Sequence, residues 1–175
     1  MKRRLRSLAC TLAVLASIAG ATPSSANAQQ VRHIETDGAW LSFQFLENGH
    51  PVCYIASRPT KILPADVRHG DVFLLVTDRP ADRSREVPSL MVGYTFKANS
   101  EVRAEVDKSR FRLFTDGNAA WTNGPSSDRA LTAAMRAGDT IRFQATSARG
   151  THTSYVFSLS GVTAALRRIS SACEA

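Results

Sequence analysis

Apolar residues in the last quarter of the chain change their spacing at Gly161. Before it, over residues 153–159, they alternate with polar residues, which predicts a half-buried strand. After it, over residues 162–169, they recur every three or four positions, which predicts an amphipathic helix. Cys173 lies four residues beyond Ile169 and is therefore expected on the same buried face.

Alternation of apolar and polar residues extends back to Ala39 and indicates that most of the chain is β-structure. Residues 71–77 are apolar on both faces, as in a central strand that is covered on both sides. Pro59 and Pro64 indicate a loop or an irregular edge between residues 57 and 68. Further strands are expected at residues 40–45, 52–56, 87–96, 101–107, 110–113 and 140–146.

One internal helix is expected after Pro125. Ser126 or Ser127 is a suitable N-cap, and Gly138 follows the last residue of the apolar stripe. Together with the C-terminal helix, the pattern predicts an all-β fold, an antiparallel β-sandwich with two short helices. Within the strand at residues 40–45, Leu41, Phe43 and Phe45 share one side.

The first 28 residues have the three parts of a secretory signal peptide. Four basic residues lie between positions 2 and 6, an apolar core covers residues 8–19, and small residues precede a cleavage site between Ala28 and Gln29. The apolar core is too short for a bilayer-spanning helix, which needs about 20 residues. We therefore expect a signal peptide at 1–28, a flexible lead-in at 29–38 and a single domain at 39–175, with no integral membrane segment after cleavage.

Removal of the signal peptide changes what the charge implies. Its four basic residues account for more than half of the formal net charge of +7. The remaining charges are of both signs and interleaved, which does not favour binding to nucleic acid.

Two of the three cysteines, Cys53 and Cys173, remain after cleavage. An even number in an exported protein predicts a disulfide between them. A redox-active pair is the alternative, but the Cys-x-x-Cys spacing typical of such sites is absent.

Sequence motifs give no support to an enzyme. His33, His50, His69 and His152 have none of the spacings of a metal site, and the common nucleophile and nucleotide-binding motifs are missing. No cofactor is therefore predicted. Trp40 and Trp121 suggest stacking against sugars, although each lies in an apolar run that favours packing in the core.

Several segments, in their order along the chain, resemble the invasion-associated locus B family of exported bacterial proteins. The resemblance covers nearly the whole mature chain and implies an immunoglobulin-like β-sandwich in the cell envelope, with no established catalytic residues. The additional cysteines of the invasion-linked branch are missing, so the chain is more similar to the broader branch of free-living and plant-associated bacteria. The matching residues are 38–40, 52–57, 70–77, 93–96, 120–122, 147–151 and 158–166.

Two hypotheses of function follow. The first is a non-enzymatic periplasmic protein, free or associated with the outer membrane, that binds another envelope component through an edge strand or a loop, with a contribution to host interaction. Its candidate contact loops are 61–69 and 79–86. The second is a small-ligand or glycan-binding module that uses Trp40 or Trp121. The candidate contact residues in the loops are Lys61, Arg68, His69, Arg79, Arg83 and Arg85.

Overall fold

The computed structural model describes residues 30–174, and the predicted signal peptide lies outside them. The predicted cleavage site between Ala28 and Gln29 also lies outside the described residues. The strands are β1 (Arg32–Asp37), β2 (Trp40–Glu47), β3 (His50–Ser57), β4 (Lys61–Leu63), β5 (Phe73–Arg79), β6 (Ser84–Met91), β7 (Glu101–Val106), β8 (Ser109–Asp116), β9 (Ala119–Trp121), β10 (Thr140–Thr146) and β11 (His152–Ser158). The helices are α1 (Pro125–Ala137) and α2 (Val162–Glu174), and a 3-10 turn (Pro80–Asp82) joins β5 to β6.

Neighbouring strands are antiparallel and form one continuous ladder in the order β1-β2-β3-β5-β6-β9-β8-β7-β10-β11-β4. The ladder folds over on itself, so that the inner faces of its two halves share one core. Trp40, Ile55 and Leu74 enter this core from one half, and Phe143 and Phe157 enter it from the other. The predicted all-β antiparallel sandwich with two helices is confirmed.

Helix α2 packs against β2 and β3 with the apolar stripe that the sequence predicts. Its buried residues are Val162, Ala165, Leu166, Ile169 and Cys173. Cys173 is disulfide-bonded to Cys53 on β3, with a Cα–Cα distance of 5.9 Å. The predicted disulfide is thus present and links the last helix to the third strand.

Helix α1 begins two or three residues earlier than a cap at Ser126 or Ser127 would place it. Pro125 occupies the first turn, where its missing N–H costs nothing, and Gly124 is the N-cap. Neither Ser126 nor Ser127 caps the helix, and no side chain takes that role. The predicted end is confirmed, since the N–H of Gly138 donates to the carbonyl of Ala134.

The segment predicted as a flexible lead-in contains strand β1, which is a correction. Its polar residues hide the strand from a hydrophobicity pattern, because β1 is an edge strand that is mostly exposed. Pairing with β2 holds it in place. Arg168 of α2 adds two hydrogen bonds of 2.9 Å to the carboxylate of Asp37.

Candidate functional site

The outer face of one half of the sandwich is apolar. Strand β2 buries Trp40 and Ser42 in the core, and it therefore directs Leu41, Phe43 and Phe45 outwards. Neighbouring strands continue this surface. We call it the aromatic face and define it by the outward side chains of β2, β3, β5, β6, β8 and β9, namely Leu41, Phe43, Phe45, Val52, Tyr54, Phe73, Leu75, Val87, Met91, Phe114 and Trp121.

Strand register brings the aromatic residues of this face into two groups. Phe43 lies opposite Tyr54 across β2 and β3, and their rings stack with centroids 5.1 Å apart. Phe114 lies opposite Trp121 across β8 and β9, with centroids 5.9 Å apart. The exposed fractions of Leu41 and Met91 are 40%, and that of Phe114 is 49%. The aromatic face is thus open to solvent within the described part of the chain.

Between the two aromatic groups, strands β5 and β6 carry smaller side chains. Thr77, Val87 and Ser89 form the floor of a groove with a volume of about 420 Å³, with Tyr54 on one wall and Trp121 on the other. We call it the aromatic groove. Burial raises the pKa of the Tyr54 hydroxyl. The Tyr54 hydroxyl is therefore partly shielded from water.

One ion pair closes an end of the aromatic groove. Arg79 lines the groove and donates a hydrogen bond to Glu47 through Nη1. The other N–H groups of its guanidinium have no partner among residues 30–174. This end of the groove therefore presents N–H donors of Arg79 and carries no net charge.

The six predicted contact residues do not form one surface. Lys61 and Arg68 are exposed on β4 and the following loop, whereas Arg83 is exposed after the 3-10 turn. Arg79 belongs to the aromatic groove. Arg85 lies between the carboxylates of Asp78 and Glu174, at 3.6 and 3.4 Å.

The prediction of a surface role for His69 is wrong, because its side chain is only 7% exposed. Its Nε2 lies 2.8 Å from the carbonyl oxygen of Pro64. Because a carbonyl can only accept, this nitrogen carries the proton, and Nδ1 lies 2.9 Å from the hydroxyl oxygen of Tyr155. His69 therefore ties its loop to β11.

Tyr155 connects His69 to a longer chain of hydroxyl groups. Its oxygen lies 3.0 Å from that of Tyr94, which lies 2.7 Å from Oγ1 of Thr153. Burial raises the pKa of Tyr155. These contacts join residues that are far apart in sequence, and no local motif could have indicated them.

The two tryptophans have different environments. Trp40 is fully buried and donates from Nε1 to the carbonyl of Ser158 at 3.1 Å, so it cannot stack against a ligand. Trp121 is half-buried in the wall of the aromatic groove. Of the two tryptophans that the sequence suggests for stacking against sugars, Trp121 is therefore the one that a ligand could contact.

Residues 30–174 contain neither a cluster of metal-ligating side chains nor a helix that could span a membrane. No three histidine, cysteine, aspartate or glutamate side chains come together as they would around a metal ion. Neither of the helices in this range has the length and apolar character needed to cross a bilayer.

The fold and the surface define a β-sandwich protein with a disulfide-linked final helix and an open aromatic face. The chain belongs to the invasion associated locus B (IalB) family, whose model matches residues 42–170. At the level of the family it is an invasion-associated protein, and this membership points to a non-catalytic one.

A solved structure of similar fold is that of invasion associated protein B from Bartonella henselae. The two chains are 21% identical, with a TM-score of 0.58, over 80% of this chain and 96% of the other. At this identity the likeness concerns the fold. No curated protein matches the chain.

Proposed function

We propose that this chain is an exported, non-enzymatic protein that binds another component of the cell envelope through its aromatic face. The observation that carries the proposal is strand β5, which is apolar on both sides. Leu74 and Val76 lie in the core, while Phe73 and Leu75 face outwards and are half-buried, with the guanidinium of Arg58 4.4 Å from the centroid of the Phe73 ring. A strand of this composition is typical of a sheet that is covered twice.

The size of the exposed patch supports the same proposal. Large side chains have areas of roughly 150–250 Å². With the exposed fractions of the aromatic face, the patch is on the order of 500 Å², near the upper end for a monomer, where such patches are often functional.

The sheet edges are less suitable for binding than the face. β1 has a register shift between His33 and Glu35 and carries charged residues. β4 is three residues long and lies between Pro59 and Pro64. Bulges, charges, prolines and short length are the features that prevent an edge from pairing with another strand. We therefore favour the face over the edge-strand addition expected from the sequence.

The proposed location is the periplasm, with cleavage between Ala28 and Gln29. A disulfide such as Cys53–Cys173 is typical of an oxidising compartment. Association with the outer membrane would then come through the partner, and a contribution to host interaction would use the same face. The exposed loop residues Lys61, Arg68 and Arg83 are secondary contact candidates.

A pull-down from an envelope extract tests the proposal with matched variants. Leu41→Asp and Met91→Asp place a charge on the aromatic face, whereas Val156→Asp replaces an apolar side chain on the outer face of the other half. We expect the first two to reduce partner recovery at least tenfold and Val156→Asp to leave it within twofold. Equal recovery with all three would contradict a role for the aromatic face.

A further inference from the structure

We infer that the aromatic groove binds an uncharged glycan chain. This inference depends on the proposed function, because it names the class of ligand for the same face. It is carried by the groove's shape, its free hydrogen-bonding groups and its charge.

The aromatic groove has room for one chain along β5 and β6. Its walls lie on β3 and β9, which are three strand spacings apart in the sheet, or about 14 Å between backbones. Tyr54 and Trp121 both line the groove and bring an aromatic ring to each side of it. Its volume of about 420 Å³ lies within the range of small-ligand sites, roughly 300–1,000 Å³.

Free hydrogen-bonding groups are distributed along the groove. The hydroxyls of Tyr54, Thr77, Ser84 and Ser89 have no partner among the described residues, and the indole N–H of Trp121 has none either. Sugars combine an apolar C–H face, which stacks on aromatic rings, with hydroxyls that both donate and accept. The alternation of rings and hydroxyls in the groove matches this chemistry.

A lipid acyl chain fits these groups less well. It would cover the hydroxyls without giving them a partner, and each buried unpaired group costs about 1–3 kcal/mol. An extended peptide needs partners for its own backbone, yet the backbone groups of β5 and β6 are already paired in the ladder.

A second copy of the chain is also disfavoured. Two concave grooves meeting face to face would enclose a void, whereas specific interfaces pack as densely as protein interiors. The two patches together would bury on the order of 1,000 Å², the lower limit for a specific interface.

The net charge of the groove indicates which sugars the glycan would contain. The ion pair of Arg79 and Glu47 leaves the groove without net charge, and its other lining side chains are neutral. We therefore expect neutral sugars to bind more tightly than uronates.

Tryptophan fluorescence of the mature protein tests the inference directly. The chain has two tryptophans, and because Trp40 is fully buried, ligand-induced changes report on Trp121. The probes are hexamers of N-acetylglucosamine, of β-1,4-glucose and of α-1,4-glucose, with a galacturonate hexamer as the charged comparison. We expect saturable binding of at least one neutral hexamer, and weaker binding of the galacturonate hexamer.

Variants locate the binding, with affinity measured by calorimetry so that the loss of Trp121 does not remove the signal. Trp121→Ala and Tyr54→Ala should reduce affinity at least tenfold, and Thr77→Val, which conserves shape, about threefold to tenfold. Leu41→Ala is the control, because Leu41 lies on the aromatic face but does not line the groove. The affinity of this control variant for the neutral hexamer should stay within twofold of the wild-type value.

Absence of binding by all three neutral hexamers would overturn the inference, and so would tighter binding of palmitate or of an apolar peptide. If the glycans fail while Leu41→Asp and Met91→Asp still abolish partner recovery, the ligand class is wrong and the proposed function stands. If partner recovery is also unaffected, both are wrong.

Discussion

Asp78 is a buried carboxyl group beside the disulfide. It is 1% exposed, and it lies opposite Cys53 in the pairing of β3 with β5. Burial raises its pKa, although the backbone N–H of Glu86 donates to Oδ1 at 2.6 Å and Arg85 lies nearby. Asp78 is therefore more easily protonated in the folded state than in the unfolded state.

This shift gives Asp78 a defined effect on the pH dependence of stability. A carboxyl group whose pKa is raised in the folded state stabilises the protein at pH values below its unfolded-state pKa of about 3.9. This contribution is lost as the pH rises through the folded-state pKa. Asp78→Asn retains an acceptor for Glu86 without the charge. In urea denaturation we measure the unfolding free energy of Asp78→Asn minus that of the wild type. We expect this difference to increase between pH 4 and pH 7.

The exposed Asp116 provides the control for this measurement. Asp116→Asn should alter the unfolding free energy by about the same amount at both pH values. A difference between Asp78→Asn and the wild type that is constant with pH would contradict the account of Asp78.

Single residues also show where sequence reasoning fails. His69 has the sequence context of an exposed loop residue, flanked by Arg68 and Gly70, yet its bonds to Pro64 and Tyr155 bury it. The bond to Tyr155 joins residues 86 positions apart in sequence. Such a contact is fixed by tertiary packing, which no local pattern contains.

At the scale of elements, periodicity predicts which residues share a side but not which side faces the core. Leu41, Phe43 and Phe45 do share one side of β2, but that side faces outwards. The interior is filled instead by Trp40, by Ser42 and by helix α2. The direction depends on where α2 packs, and this is set by residues more than 100 positions away.

The disulfide between β3 and α2 is expected to provide a large part of the stability. On the chain-entropy model, a bond across 120 residues stabilises by roughly 4–5 kcal/mol, and removal of a native disulfide typically costs about 2–5 kcal/mol. The double variant Cys53→Ser/Cys173→Ser should lose stability in this range in chemical denaturation. Wild-type protein in a reducing agent serves as the comparison, and a loss below about 0.5 kcal/mol would contradict a stabilising role.

The turn that begins α2 requires glycine at position 161. Its φ is +92°, and an added Cβ would lie 2.0 Å from the carbonyl oxygen of Asp37. Gly161→Ala should therefore destabilise by about 2–5 kcal/mol, which combines a conformational cost of about 1–2 kcal/mol with a steric clash of about 1–3 kcal/mol. Thermal and urea unfolding measure this change.

Gly150 is the matched control for Gly161. Its φ is +85°, but nothing lies within 4 Å of an added Cβ. Gly150→Ala should show the conformational cost alone, about 1–2 kcal/mol. Equal destabilisation by the two variants would mean that the contact with Asp37 is unimportant.

The whole molecule has two different outer faces. On β7, β10 and β11 the outward residues other than Val156 are polar or charged, as with Arg103, Arg142 and Gln144, whereas the other half has the aromatic face. The sequence predicts most of the strands, both helices and the disulfide, because these follow from local periodicity and cysteine count, but it misses the short or polar edge strands β1 and β4. It does not predict the aromatic groove, because the groove is assembled from five strands by their register.

The most direct test of the account is whether the aromatic face is occupied in living cells. A photo-crosslinking amino acid at Thr77, on the groove floor, is compared with one at Gln144, on the polar outer face. We expect Thr77 to form a discrete crosslinked product with an envelope component and Gln144 to form none. Products from Gln144 without any from Thr77, or none from either site, would contradict the account.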